Sequence, residues 1–233
     1  MRNYVLLLLL IPVFFLSLPT VSSVYAQTVY LVCLDPGHGG NSGAFNPSYN
    51  LWEDEINLDA ANRLKNLLLA DGKYRVEMTR TDNSFKSNND RYTFCNSISA
   101  DILVSIHVNS STNPSIDGSM ALYFKPGDKI LAKQLLDVLF PALNNTDWTF
   151  TNFGLSKYAS GVLLKSDMPA AMMETVMLSH DGEAQLLSDT GETSRREQVA
   201  QALYDGIEAY FAGNPDGGGG NGGGKCQDPP CRK

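Results

Sequence analysis

The feature that most constrains the fold of this 233-residue chain is an alternation. Apolar runs of strand character occur at 29–35 (VYLVCLD), 74–80 (YRVEMTR), 101–109 (DILVSIHVN), 119–125 (SMALYFK), 161–165 (GVLLK) and 170–178 (AAMMETVML). Segments of helical period lie among them at 53–72, 90–98, 127–143 and 184–211. Strands separated by helices bury their apolar faces most economically in one shared sheet with helices packed against it. The pattern therefore predicts a single α/β domain with a twisted, mostly parallel or mixed sheet flanked by helices on both faces. The helix from 53 is expected to stop at Gly72, and the one from 127 to end or bend at Pro141. The stretch around NNTDWTFTNFG (144–154) reads as a loop.

Both ends read differently. Residues 1–26 carry an early Arg2, an apolar stretch from Val5 to Leu18, and small or polar residues up to Ala26, the pattern of a secretory signal peptide cleaved after Ala26. The apolar stretch is shorter than the roughly 20 residues a spanning helix needs and contains Pro12, which argues against a retained anchor. The folded domain is expected over 27–212. Residues 213–233 form a Gly-rich linker (GNPDGGGGNGGG) and a short tail, KCQDPPCRK. Export permits disulfides. Cys226 and Cys231 could close a small loop in the tail, and Cys33 and Cys95 could pair if the fold brings them together. A net charge of −7 without a basic stripe excludes a nucleic-acid binder. No membrane association is expected of the mature form, and a monomer is expected.

Only three histidines are present, and one stands between glycines at the tip of the first strand, in LDPGHGG. Glycines let backbone and ligand approach closely and leave the His38 imidazole unshielded. His107 closes the strand DILVSIH on the same face as Leu103 and Ser105, opposite Ile102, Val104 and Ile106. Ligands in such sheets sit beyond the carboxyl ends of the strands, where both imidazoles converge. In the helix from 53, Glu53 shares a stripe with Asn57, Ala60, Ala61, Leu64 and Leu68, so it faces inward. Glu55 lies on the solvated face with Asp59, Asn62, Arg63 and Asn66. Asp54 and Glu55 fit helix N-terminal charge stabilisation. Glu174 sits inside the apolar run PAAMMETVML, where a carboxylate pairs, binds metal or holds its proton more tightly. Two imidazoles and one carboxylate suit Zn²⁺, with water at a fourth position for hydrolysis. His38, Glu53 and His107 are the candidate ligands of one zinc per chain, and Glu174 the candidate acid/base. Asn109 and Ser42 are candidate substrate contacts.

The stretches LDPGHGG, WEDEINLDAANRL, EMTRTDN, ADILVSIHVNSS and MPAAMMETVMLSH resemble, in order, the motifs of zinc-dependent N-acetylmuramoyl-L-alanine amidases of the Amidase_3 type. The resemblance spans about residues 29–211. It implies that His38, Glu53 and His107 bind zinc and that Glu174 is the catalytic acid/base. It also implies that the substrate is peptidoglycan, cut between the lactyl group of N-acetylmuramic acid and L-alanine. Cleavage of the expected signal peptide would place the chain outside the cytoplasm, in the periplasm or the extracellular wall. The chain departs from the family after the catalytic Glu: ETVMLSH stands where members usually read E-x-G-F-x-S-N, so that Val176 replaces a glycine and His180 an asparagine. His180 is thereby a rival ligand. Some members carry a helical plug between the second His and the catalytic Glu, and none is expected here. Rival readings are a zinc peptidase cutting within the stem peptide, a non-catalytic wall-binding module, and a secreted structural domain without metal.

Overall fold

The protein is described by a computed structural model over residues 28–215. The expected signal peptide, most of the Gly-rich segment and the tail cysteines lie outside the described residues. In chain order the elements are β1 (Tyr30–Pro36), β2 (Phe45–Asn46), β3 (Leu51–Trp52), α1 (Glu53–Asp71), β4 (Tyr74–Met78), α2 (Asn88–Ser97) and β5 (Ile102–Asn109). There follow β6 (Gly118–Tyr123), α3 (Pro126–Leu143), β7 (Thr151–Lys157), α4 (Gly161–Lys165), β8 (Ala170–Met177), α5 (Asp181–Ser188) and α6 (Arg195–Gly213). Six strands form one sheet in the order β4-β1-β5-β8-β6-β7, and β2 and β3 make a separate two-stranded ladder. β4, β1, β5 and β8 run parallel. β6 lies antiparallel to β8 and parallel to β7. The expected mixed α/β sheet is what the chain forms.

Period-two alternation divides the core between the two faces of this sheet. Val32 and Leu34 of β1 and Ile102, Val104 and Ile106 of β5 join the larger cluster, with Leu64 and Leu68 of α1, Leu135 of α3 and Leu203 and Ile207 of α6. Cys33 and Leu103 face the other way, with Ala170, Met172, Cys95 of α2 and Val162 and Leu163 of α4. On that thinner face a Cys33–Cys95 disulfide, Cα atoms 5.8 Å apart, fastens α2 to β1.

Local signals explain the helix ends. α1 starts with three acidic residues, Glu53, Asp54 and Glu55, against the positive end of its dipole, and stops at Gly72 in the left-handed conformation at φ 79°. α2 opens with a capping box between Ser87 and Asp90.

Three expectations are corrected. GVLLK is the short helix α4, not a strand: Ser160 caps it by accepting from the Leu163 amide at 3.2 Å, and Val162 and Leu163 turn inward. An apolar run this short has no period of its own, so the cap decides. Of the two outcomes expected at Pro141, an end or a bend, the end does not occur there, since α3 continues to Leu143. Pro141 and Asp137, whose carbonyl loses its partner, both lie on the exposed side of the last turns, where water can replace the bond. Within the expected loop around 144–154, TNFGLSK begins the edge strand β7. Among the described residues it pairs with β6 alone and leaves Asn152 and Phe153 exposed, so it needs no apolar alternation.

Candidate metal and catalytic centre

Three segments deliver the candidate ligands to the carboxyl ends of the parallel strands. β1 ends at Pro36, and the Gly37 amide donates to the Ile106 carbonyl at 2.9 Å, tying the following loop to β5. His38 then takes a left-handed conformation, φ 60°, which costs a non-glycine residue roughly 1–2 kcal/mol. Glu53 is the first residue of α1. Its backbone amide donates to the Ala44 carbonyl at 2.9 Å, and its Oε2 accepts from the Ala44 amide at 2.8 Å. His107 stands near the end of β5, level with Glu174 on β8, which is level with Met120 on β6.

Glu53 Oε1 lies 3.2 Å from His38 Nε2 and 3.0 Å from His107 Nδ1. One ligand atom from each of the three residues falls within 4.8 Å of the others, a spacing at which all three reach one metal ion. The surroundings fit such an ion. A Cβ on Gly37 would come within 2.2 Å of the His107 ring, and one on Gly43 within 2.5 Å of Glu53 Oε2 and 2.9 Å of His38 Cδ2. Glycine at both positions makes the room for the donor set. Burial opposes ionisation of Glu53, but hydrogen bonds from His107 and His38 outweigh it and bring its pKa down to about 2. Its carboxylate is thus charged and ready for a cation. Burial likewise disfavours protonation of His107, yet Glu53 and Glu174 beside it raise its pKa.

Glu174 differs from Glu53. Its carboxyl makes no hydrogen bond among the described residues, and burial raises its pKa against the opposing pull of His107 and His38. It faces a cleft whose two recesses, of about 330 and 360 Å³, meet at His38, His107 and Glu174. The first extends past Asn88, Leu122, Tyr158, Ser160 and Met172. The second passes Gly43, Ala44, Asn109 and Ser110.

Asn109 lines the second recess, with its Nδ2 3.6 Å from Met120 Sδ. Ser42 donates from Oγ to the Gly39 carbonyl at 2.8 Å and braces the loop. His180 stays outside the ligand group. It is the N-cap of α5, its Nδ1 accepts from the Glu183 amide at 3.3 Å, and its ring stacks on Trp148 at 4.8 Å. Asp54 is more than a dipole charge: it is fully buried, and its Oδ2 accepts from the Asn41 amide at 2.7 Å, anchoring the loop behind His38. Sequence reading also passed over the buried Arg80 and Arg91 beside the His38 loop. A cation in the segment EMTRTDN or in a polar helix looks like any solvated charge until the fold encloses it.

Fold and site together define an α/β domain with a His–Glu–His cluster, able to hold a metal ion, beside the ends of its parallel strands. Residues 32–209 match the model of the Amidase_3 family, N-acetylmuramoyl-L-alanine amidase, and the chain belongs to that family. It is 31% identical over 189 residues to N-acetylmuramoyl-L-alanine amidase LytC of Bacillus subtilis strain 168, an alignment covering 81% of this chain and 36% of LytC. It is 30% identical over 184 residues to the probable cell wall amidase LytH of Staphylococcus epidermidis, covering 78% and 58% respectively. The chain thus spans between about a third and three fifths of the length of these relatives. Among solved structures, the catalytic domain of CwlV, an N-acetylmuramoyl-L-alanine amidase from Bacillus (Paenibacillus) polymyxa, superposes with a TM-score of 0.72 at 29% identity. That match covers 79% of this chain and 99% of CwlV's domain. An N-acetylmuramoyl-L-alanine amidase from Clostridium difficile 630 gives 0.71 at 30% identity, covering 79% and 98%.

Proposed function

We propose that this chain is a secreted zinc hydrolase that cleaves the amide between N-acetylmuramic acid and L-alanine in peptidoglycan. The observation that carries the proposal is the convergence of His38, Glu53 and His107 on one point with Glu174 beside it. Membership of the amidase family supplies the substrate class. No helix among the described residues is long and apolar enough to cross a membrane.

His38, Glu53 and His107 would hold the zinc. When bound there, zinc polarises a carbonyl and acidifies a water, bringing its pKa to about 7. Glu174 does the proton work. Burial keeps its pKa above that of an ordinary carboxylate, so it can take a proton from the attacking water and return it to the departing alanine nitrogen. The left-handed His38 and the Ala44 contacts of Glu53 hold the ligands at fixed angles to the cleft. The two recesses on either side of Glu174 suit a scissile bond with bulk on both sides, glycan on one and peptide on the other. Asn109, on the wall of one recess, is a substrate contact in this reading.

Mass spectrometry of digested peptidoglycan tests the scissile bond. The expected products are stem peptides with a free L-alanine amino group and glycans without peptide. Fragments cut within the stem would instead make the chain a peptidase.

A further inference from the structure

We propose that the buried arginines Arg80 and Arg91 are positioning residues that hold His38 and Glu53 in metal-binding geometry; this rests on the His–Glu–His reading above. Three consecutive carbonyls, those of Pro36 at the end of β1 and of Gly37 and His38 in the loop after it, all accept from these two side chains. Arg91 donates from Nη1 to the Pro36 carbonyl at 2.7 Å and from Nη2 to the carbonyl of His38 itself. Arg80 donates from Nε to the Pro36 carbonyl at 2.9 Å. Its Nη2 reaches the Gly37 carbonyl and the Asp54 carbonyl, each at 2.7 Å. A single nitrogen therefore joins the His38 loop to the first turn of α1, the turn that presents Glu53.

Neither arginine is placed for solubility. Arg80 is 3% exposed and Arg91 4%. Arg91 is neutralised by the buried Asp35, Nη1 to Oδ1 at 2.7 Å, which Thr79 and Ser105 hydroxyls also hold at 2.6 and 2.7 Å. Among the described residues Arg80 makes no carboxylate contact, and its donors all go to main-chain carbonyls, the last being that of Asp82. Burying a cation is costly, and a fork that satisfies several carbonyls at once recovers most of that cost while fixing their positions. The carbonyls it fixes flank a residue in a left-handed conformation that the loop alone would not keep. Arg91 also rides on α2 one turn before Cys95, so the disulfide to Cys33 pins the helix from which it reaches. Lysine has a single ammonium and cannot span the same set of acceptors.

The test reads zinc affinity by competition with a chelator in the purified chain, for wild type, Arg91→Lys and Leu135→Ala. Leu135 lies in the core on the other face of the sheet and serves as the control for lost stability. Arg91→Lys is expected to weaken zinc binding about ten- to a hundredfold, as loss of a group supporting a metal ligand does. Leu135→Ala is expected to lower the melting temperature and leave zinc affinity at the wild-type value. Wild-type affinity in a folded Arg91→Lys overturns the proposal, and so does an equal loss in Leu135→Ala. Where Arg91→Lys does not accumulate folded, Arg80→Lys is read by the same criteria. A wild-type chain that binds no zinc would overturn the metal-site reading itself, a distinct result.

Discussion

At the scale of single residues, the proposed chemistry rests on the contrast between two carboxylates. Glu53 is held charged by two imidazoles, whereas Glu174 is pushed towards its protonated form by burial. Glu174→Gln should reduce turnover by about 10²–10⁴ while zinc stays bound, since the change removes a proton acceptor and no ligand. Parallel measurement of kcat and metal content checks this, and activity within a few fold of wild type would mean that the role is misassigned. Asp35 gives a pH prediction. Burial alone would raise its pKa, but Arg91, Thr79 and Ser105 overcome that and lower it from 3.8. A depressed carboxylate pKa adds stability above the unfolded value, and that stability is lost as pH falls through and below about 4. Asp35→Asn should cost about 3–5 kcal/mol at neutral pH by stranding Arg91. Melting curves from pH 7 to pH 3 should show the gap to wild type narrowing with acid, and a constant gap would refute the assignment. That His38, Glu53, His107 and Glu174 line one recess was legible from three residues that break a local rule, His38 among glycines and Glu53 and Glu174 on apolar stripes, and from His107, unremarkable alone, ending a strand beside His38. Arg80, Arg91 and Asp54 were not legible, because each breaks none until the tertiary structure buries it.

At the scale of elements, α2 is the piece whose attachment matters most to the site. It covers the thinner face of the sheet, is polar over most of its length, and buries only Arg91 and Cys95. Little apolar area holds it, so the Cys33–Cys95 bond does much of the fastening. The bond spans 62 residues, for which the loop-entropy model gives about 4 kcal/mol. Cys33→Ala/Cys95→Ala should therefore lower the melting temperature by on the order of 10 °C in calorimetry. An unchanged midpoint would show that α2 is held without it. The pairing was not legible from spacing, since two half-cystines so far apart meet only once β1 and α2 are packed. α4 and β7 were misread for the complementary reason. One is too short for a period, and the other is an edge strand free of the two-sided burial that makes strands readable.

At the scale of the whole molecule, the order of strands and helices was legible because each buried strand must be apolar and each covering helix amphipathic. What the pattern does not encode is strand direction. β6 runs against β8, and this places Met120 level with Glu174. The sheet thereby gathers loop, helix and strands from positions 38 to 174 around one point, the point proposed to hold one zinc. Metal analysis of the purified chain tests that proposal most directly. One zinc per chain is expected in wild type and in Glu174→Gln, with loss of both metal and hydrolysis in Glu53→Ala and after chelation, and recovery of wild-type activity when zinc is restored. A wild-type chain that hydrolyses peptidoglycan with no metal bound, or a Glu53→Ala chain that retains its zinc, would contradict the account.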